Sequence, residues 1–256
     1  MNDLPDHSLE GSSRYVRQII LPGIGELGQS KLKEAHVLIA GVGGLGSLSS
    51  LYLCAAGIGR LTVVDSGRVQ LSDLNRQILY GEKDLGRRKV EAAVRRLSEM
   101  NSEITVNPIF GEMTEDSVSD LLENVQIVVD GTDNFRTRFL LNAACHTRGI
   151  PYVCGGVFGL KGTAMTIIPG QTPCLKCFHP EKKMPASPIP AISAVVGVIA
   201  SVQVLEVLKL ILSLGEGLAG RLLVFEGSTT SFRTLAIRKR KDCEVCSVSS
   251  IGGALK

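Results

Sequence analysis

His36-Val37-Leu38-Ile39-Ala40-Gly41-Val42-Gly43-Gly44-Leu45-Gly46 is an apolar run of strand length that breaks into a glycine-rich turn. Leu45 to Ala56 then carries a helical pattern closed by Gly57, and Leu61-Thr62-Val63-Val64-Asp65 is a second strand. Strand, turn, helix and strand in about 30 residues make a βαβ unit. In that context GxGxxG lets a phosphate approach backbone amides at the positive end of a helix. A carboxylate at the end of the second strand, Asp65, is placed to accept hydrogen bonds from ribose hydroxyls. Gly41, Gly43, Gly44, Gly46 and Asp65 are therefore candidate nucleotide-binding residues, and NAD suits them as well as ATP does.

Outward from this unit the alternation continues. Glu26 to Glu34 reads as a short amphipathic helix on the N-terminal side. On the other side follow a helix near Arg87–Met100, a strand near Ile104–Ile109, a helix near Glu115–Leu122 and the strand Ile127–Asp130. A helix over Asn134–Arg148 and the strand Tyr152-Val153-Cys154 complete the series. The pattern predicts an α/β fold, a Rossmann-like, mainly parallel sheet with helices on both faces. Beyond Gly155, antiparallel strands are expected at Thr163–Ile168, Leu222–Phe225 and Arg233–Ile237, around a long helix from Ser193 to Leu214. On that helix Gln203, Glu206 and Lys209 recur every three residues, a narrow polar stripe on an apolar cylinder, so it is expected to be largely buried in the core or in a subunit interface. With no internal repeat and no linker, one continuous domain over residues 1–256 is expected, its nucleotide half at about 14–155 and a second half at about 156–246.

Twenty-eight Lys and Arg against 25 Asp and Glu leave a net charge of only +3, too weak a field to argue for nucleic acid, while 44% hydrophobic residues exclude disorder as the main theme. Arg238-Lys239-Arg240-Lys241 is the one dense basic run, either a solvated strand end or a surface for an anionic partner. Residues 1–13 are polar and acidic without an apolar core, and the uncharged stretch Ile189–Leu205 falls short of a spanning helix, so a cytoplasmic protein without a membrane segment is expected.

Two polar segments separate the nucleotide readings. Ser72-Asp73-Leu74-Asn75-Arg76-Gln77 packs a carboxylate, amides and a guanidinium into six positions, and Arg87-Arg88-Lys89 opens the next helix. A nicotinamide dinucleotide needs no such cationic collection, whereas a triphosphate losing pyrophosphate does, because charge develops on the leaving group. Asp133, in Asp130-Gly131-Thr132-Asp133-Asn134, lies where ligands of open α/β sheets bind, and can either hold Mg2+ against phosphates or cap the helix that starts at Asn134. Four of the seven cysteines form Cys174-Leu175-Lys176-Cys177 and Cys243-Glu244-Val245-Cys246, which suit a tetrahedral structural zinc better than a redox dithiol. Cys54, Cys145 and Cys154 read as core thiols. His7, His36, His146 and His179 have no spacing that defines a site.

In order along the chain, Arg14-Tyr15-x-Arg17-Gln18, Gly41-x-Gly43-Gly44-Leu45-Gly46, Asp65, Asp73-Leu74-Asn75-Arg76-Gln77, Lys89, Asp133-Asn134 and the two CxxC pairs resemble the ThiF/MoeB/HesA family, bacterial relatives of ubiquitin-activating enzymes. The resemblance runs from Arg14 to Cys246. It implies ATP- and Mg2+-dependent adenylation of the C-terminal glycine of a small ubiquitin-like sulfur-carrier protein ending in Gly-Gly, with release of pyrophosphate, in molybdopterin, thiamine or related biosynthesis. By the family pattern Asp65 binds ribose, Arg76 and Lys89 the phosphates, Asn75 and Gln77 the same region, and Asp133 the Mg2+. Arg14 reaches the phosphates from the partner subunit, which implies a homodimer. The second half would then bind the carrier and the zinc. The family often has Asn where this chain has Asp73, a residue that caps a helix, faces Arg76, or burdens the phosphates with a negative charge.

Some relatives carry the activated partner on a cysteine in the loop after the first CxxC. Phe178–Pro190 has none, which favours adenylation without a covalent enzyme intermediate and, with the zinc pairs, the molybdopterin-type role. Its proline-rich part, Met184–Pro190, reads as a cover or docking segment for the carrier tail or as a plain connector. Ten residues follow Cys246, so a separate sulfur donor is expected, and Gly252-Gly253 among them reads as coincidence. Two rival classes remain at this stage, an NAD-dependent oxidoreductase and a non-catalytic carrier-binding scaffold.

Overall fold

The computed structural model describes residues 14–179 and 189–247. Eight strands, β1 (His36–Ala40), β2 (Arg60–Asp65), β3 (Thr105–Phe110), β4 (Ile127–Asp130), β5 (Tyr152–Phe158), β6 (Lys161–Ile167), β7 (Arg221–Glu226) and β8 (Ser231–Ala236), form one sheet in the order β3-β2-β1-β4-β5-β6-β7-β8. β1 to β5 pair in parallel, and β6, β7 and β8 continue the same sheet antiparallel. β5 is longer than its apolar start suggests. It runs on through Gly155 and Gly156 to Phe158 because the whole length pairs with β6.

The helices are α1 (Val16–Ile19), α2 (Gly25–Glu34), α3 (Gly44–Ala56), α4 (Lys89–Met100), α5 (Glu115–Leu121), α6 (Phe135–Arg148), α7 (Leu175–Phe178) and α8 (Ser193–Leu212). β1 shows why the apolar run is continuous. Val37 and Ile39 pack with Leu53, Val63, Val90, Leu97 and Val207, while Leu38 and Ala40 pack with Val64, Val128, Leu141 and Tyr152 on the opposite face. A strand covered on both sides has no polar face to show. Chain order reverses at β1, which has β2 on one side and β4 on the other. The crevice beyond their carboxyl ends is the place where ligands of such sheets bind.

Helix α8 ends at Leu212, two residues earlier than its apolar pattern, since Ser213 adopts a left-handed conformation (φ 54°). Two members of its polar stripe, Gln203 and Glu206, point inward, while Lys209 stays partly exposed. Gln203 Nε2 donates to the carbonyls of Asp130 (2.8 Å) and Val153 (3.2 Å), and Glu206 Oε2 accepts from Thr166 Oγ1 (2.7 Å) and the Leu218 amide. Leu205, on the other side, is exposed. Over Ser193–Leu212 the helix is long and apolar enough to cross a membrane by length and composition, with mean hydropathy 2.2 in its most apolar window, contrary to the expectation from the uncharged stretch. Half of that window is buried against the sheet, and its buried polar groups bond to strands, as in a core helix.

Candidate functional site

The glycine loop folds as it does because two of its residues cannot carry a side chain. Gly41 leaves β1 with φ +83°, and a Cβ there would stand 3.0 Å from the Gly131 carbonyl oxygen. A Cβ on Gly46 would run into the carbonyl oxygen of Gly41. Gly43 is the N-cap of α3 and Gly44 its first residue, so the free amides of the first turn face the mouth of the crevice. Tyr80 steadies the turn by donating its hydroxyl to the Val42 carbonyl at 2.8 Å. Asp65 Oδ2 accepts from the Val42 amide (2.9 Å) and Oδ1 from the Gly67 amide. Its carboxylate is oriented by the loop and has lone pairs left for a ligand.

Arg76 and Lys89 converge on Asp73. Lys89 Nζ lies 3.2 Å from Oδ2 and Arg76 Nη2 3.6 Å from Oδ1. Gln77 Nε2 also donates to Oδ1 (2.8 Å), and the Gln70 amide donates to Oδ2 (3.0 Å), so Asp73 both caps the short turn Leu71–Asp73 and faces Arg76. Arg76 Nη1 donates to the Ser72 carbonyl (2.7 Å) and to Asn75 Oδ1 (3.1 Å). The Arg76 stem and the Gln77 amide lie against Gly44 and Gly43, and the Lys89 stem lies beside Gly67. The fold thus brings Gly41 to Gly46, Asp65, Asn75, Arg76, Gln77 and Lys89 to one rim.

Asp133 stands two residues beyond Gly131, which packs on Gly41 and Gly46. It is exposed, and its carboxylate has no hydrogen bond or ion pair among the described residues. The cap of α6 is Asn134, whose Oδ1 accepts from the Thr137 amide at 2.9 Å, so the capping alternative for Asp133 is wrong by one position. Arg14 sits elsewhere. It contacts the Met100 carbonyl (2.9 Å) and Glu103 (3.3 Å) at the far end of α4, the helix that Lys89 begins, about 17 Å away along the axis.

Sequence reasoning gave no role to Asp130 and Arg138. Asp130 is fully buried at the end of β4, with Oδ1 accepting from the Thr132 amide (2.9 Å) and hydroxyl (2.7 Å). Arg138 Nε stands 3.2 Å from Oδ2, a coulombic contact rather than an aligned hydrogen bond. Arg138 Nη2 donates to the carbonyls of Thr132 and Gly155, each at 2.7 Å. Although burial works against its charge, Asp130 and neighbouring acidic groups raise the Arg138 pKa. The pair braces the loop that carries Asp133. Its signal in the sequence is an acid ending an apolar strand, then an arginine one turn inside the following helix.

The two CxxC segments meet. Sγ atoms of Cys174 and Cys243 are 3.5 Å apart and those of Cys177 and Cys246 3.4 Å, and all four lie within 4.8 Å of one another. Tetrahedral zinc with bonds of about 2.3 Å needs sulfurs about 3.8 Å apart, so four thiols at this spacing are compatible with a structural zinc. Burial opposes the Cys243 thiolate, but the amides of Cys246 and Val245 outweigh it and bring this thiol down to about 7. Asn142 Oδ1 accepts from the Leu175 amide (2.8 Å), anchoring the first segment on α6, and Lys176 pairs with Glu244 (2.7 Å), tying the two segments together. Arg240 of the basic run pairs with Asp242 at 3.0 Å, and its amide donates to Cys177 Sγ. Burial raises Cys54 to about 11, Cys145 to about 12 and Cys154 well above its ordinary value, so none offers a thiolate near neutral pH. Residues 180–188, with most of the proline-rich segment, His7 and Gly252-Gly253 lie outside the described residues.

A glycine loop at the switch point of a Rossmann-like sheet, with a cationic rim and a four-thiol cluster beyond it, defines a nucleotide-binding α/β protein. The ThiF family profile matches residues 15–246, and this chain belongs to the ThiF family. A protein of Culex quinquefasciatus named adenylyltransferase and sulfurtransferase MOCS3 is 43% identical over 241 residues, which cover 92% of this chain and 55% of that protein. The chain spans about half the length of that relative. The SAMP-activating enzyme E1 of Haloferax volcanii is 37% identical over 238 residues, 91% of this chain and 88% of that protein. Among solved structures, E. coli MccB with ATP superposes with a TM-score of 0.82 at 25% identity, covering 93% of this chain and 75% of that one.

Proposed function

We propose that this chain is an ATP- and Mg2+-dependent adenylyltransferase that activates the C-terminal glycine of a small ubiquitin-like sulfur-carrier protein, a step in sulfur transfer of the molybdopterin type. The observation that carries the reading is the rim itself, with Arg76 against the glycine loop, Lys89 beside Gly67 and joined to Arg76 through Asp73, and the exposed carboxylate of Asp133 two residues beyond Gly131, which packs on the loop. The names of the Culex and Haloferax relatives support the activity and a protein substrate.

In the proposed reaction a carboxylate oxygen of the terminal glycine attacks the α-phosphorus of ATP. The bond to the bridging oxygen breaks, and pyrophosphate leaves with the electron pair. Carboxylate is a weak nucleophile towards an anionic phosphate, so charge neutralisation and in-line placement supply most of the rate. The amides of the first turn of α3 receive phosphate oxygens, Asp65 holds the ribose, Asn75 and Gln77 line the phosphate region, and Arg76 and Lys89 offset charge on the leaving group. Mg2+, held by Asp133, would neutralise phosphate charge when bound, and zinc on Cys174, Cys177, Cys243 and Cys246 would tie the C-terminal segment to the sheet. Arg14, too far from its own rim, would serve the site of a second copy in a homodimer. We assign the whole chain to one cytoplasmic adenylation domain, whose second half meets the carrier.

Pyrophosphate–ATP exchange by the purified chain with Mg2+ tests the proposal. Exchange is expected only when a small Gly-Gly-ending carrier is added, and Asp133→Ala should abolish it while keeping a cooperative thermal transition. ATP binding without exchange under any carrier would leave a scaffold. Tight NAD(H) binding without ATP binding would make the chain an oxidoreductase.

A further inference from the structure

Asp73 meets both cations proposed for the phosphates. Its side chain is 9% exposed and is held from four directions, by Lys89, Arg76, the Gln77 amide and the Gln70 backbone. A carboxylate fixed by a backbone cap and a side-chain amide cannot swing aside when an anion arrives. The site therefore presents two positive charges and one immobile negative charge in a partly desolvated setting, where each pair interacts far more strongly than in water. Lys89 and Arg76 are half-buried like charges that repel each other and share this one carboxylate. With Asp73 between them, both are kept at the rim before any ligand binds.

We infer that Asp73 is a positioning residue that holds Arg76 and Lys89 in place and competes with polyphosphate for them, so that the site grips pyrophosphate less tightly than two unpaired cations would and lets it go. The inference rests on the adenylation reading and adds to it a determinant of product release. A counter-ion acts on the β- and γ-phosphates those cations would meet. AMP, which lacks them, should hardly register its loss, whereas a residue that only supports the fold would weaken every nucleotide together.

Titration calorimetry of pyrophosphate, ATP and AMP, each with Mg2+, on the whole chain separates the two. Asp73→Asn should tighten pyrophosphate and ATP about tenfold, the lower range measured for close charge pairs, while AMP moves less than about twofold. Asp73→Ser, which removes the charge but keeps an acceptor for the Gln70 amide, should do the same and stands in if the Asn variant does not fold. Asp73→Glu keeps the charge and should keep the wild-type ratio of pyrophosphate to AMP affinity. Unchanged or weaker pyrophosphate binding in both neutral variants, or AMP shifting in parallel, overturns this inference alone. A wild-type chain that binds neither ATP nor pyrophosphate overturns it together with the adenylation reading.

Discussion

Arg138→Met would keep the apolar stem of the side chain and remove the charge that faces Asp130. Asp130 has no exposed surface, and the Arg138 side chain is 16% exposed, so water reaches the pair poorly. Thr132 would still satisfy Oδ1 through its amide and hydroxyl. Oδ2 would lose its only cation among the described residues, and the carbonyls of Thr132 and Gly155 would each lose a donor. Breaking one side of a buried ion pair costs about 3–5 kcal/mol, most of it the penalty of the charge left behind. For a chain of this size about 2–4 °C of melting temperature goes with each kcal/mol, so a fall of roughly 6–20 °C is expected. Scanning calorimetry at neutral pH without nucleotide gives the number, and Asp130→Asn with the double variant completes a cycle. The double variant should be more stable than the sum of the singles implies, because it strands no charge. A melting temperature within about 2 °C of wild type for Arg138→Met, or strictly additive losses, would refute the account of the pair as a brace.

Two further outcomes follow from the geometry. Cys174→Ser should lose bound zinc, measured by elemental analysis, and melt at lower temperature, by at most about 4 kcal/mol of stability if the metal acts as a cross-link between segments some 69 residues apart; a zinc-free variant of unchanged stability contradicts the metal site. Asp84 is pushed up by burial, but the Gly81 amide and the Arg95 guanidinium outweigh this and hold its carboxyl below the ordinary value. Its stabilising contribution is therefore present above about pH 3.9 and lost as pH falls through its own lower value. Asp84→Asn should melt below wild type at neutral pH, with the gap closing in acid, and a gap that stays constant down to about pH 3 would be inconsistent with the shift.

The nucleotide half was legible because local signals agreed with one another. Buried runs of strand length, glycine at each forced turn and Gly57 in the left-handed position that closes α3 all pointed to the same βαβ unit. Residues that act within a few positions of a motif were found. Those whose partner lies far along the chain were not. Gln203 was visible as part of a polar stripe, yet nothing in the helix could say that its amide serves the carbonyls of Asp130 and Val153, some 50 to 70 residues away. The same holds for Glu206, whose partners are Thr166 and Leu218. Asp73 is intermediate: its contact with Arg76 was readable from a spacing of three, but Lys89 arrives from another element. Arg14 carries the opposite lesson, since a motif residue can be well placed in sequence and stand far from the site in its own chain.

From β4 onward the sheet is built in the order in which the chain supplies it, β4, β5, β6, β7 and β8 side by side, with α6 between β4 and β5 and α7 and α8 between β6 and β7. Each strand is laid beside the one just made, and the two hairpins β5–β6 and β7–β8 are short-range pairings of the kind that forms quickly. The thiol cluster obeys a different clock. Its second pair of ligands emerges after β8, when every strand it stabilises already has a neighbour. A metal captured there would act as a latch on a finished edifice rather than as a seed for it, and a chelator would then release the last described residues long before it unzipped the sheet.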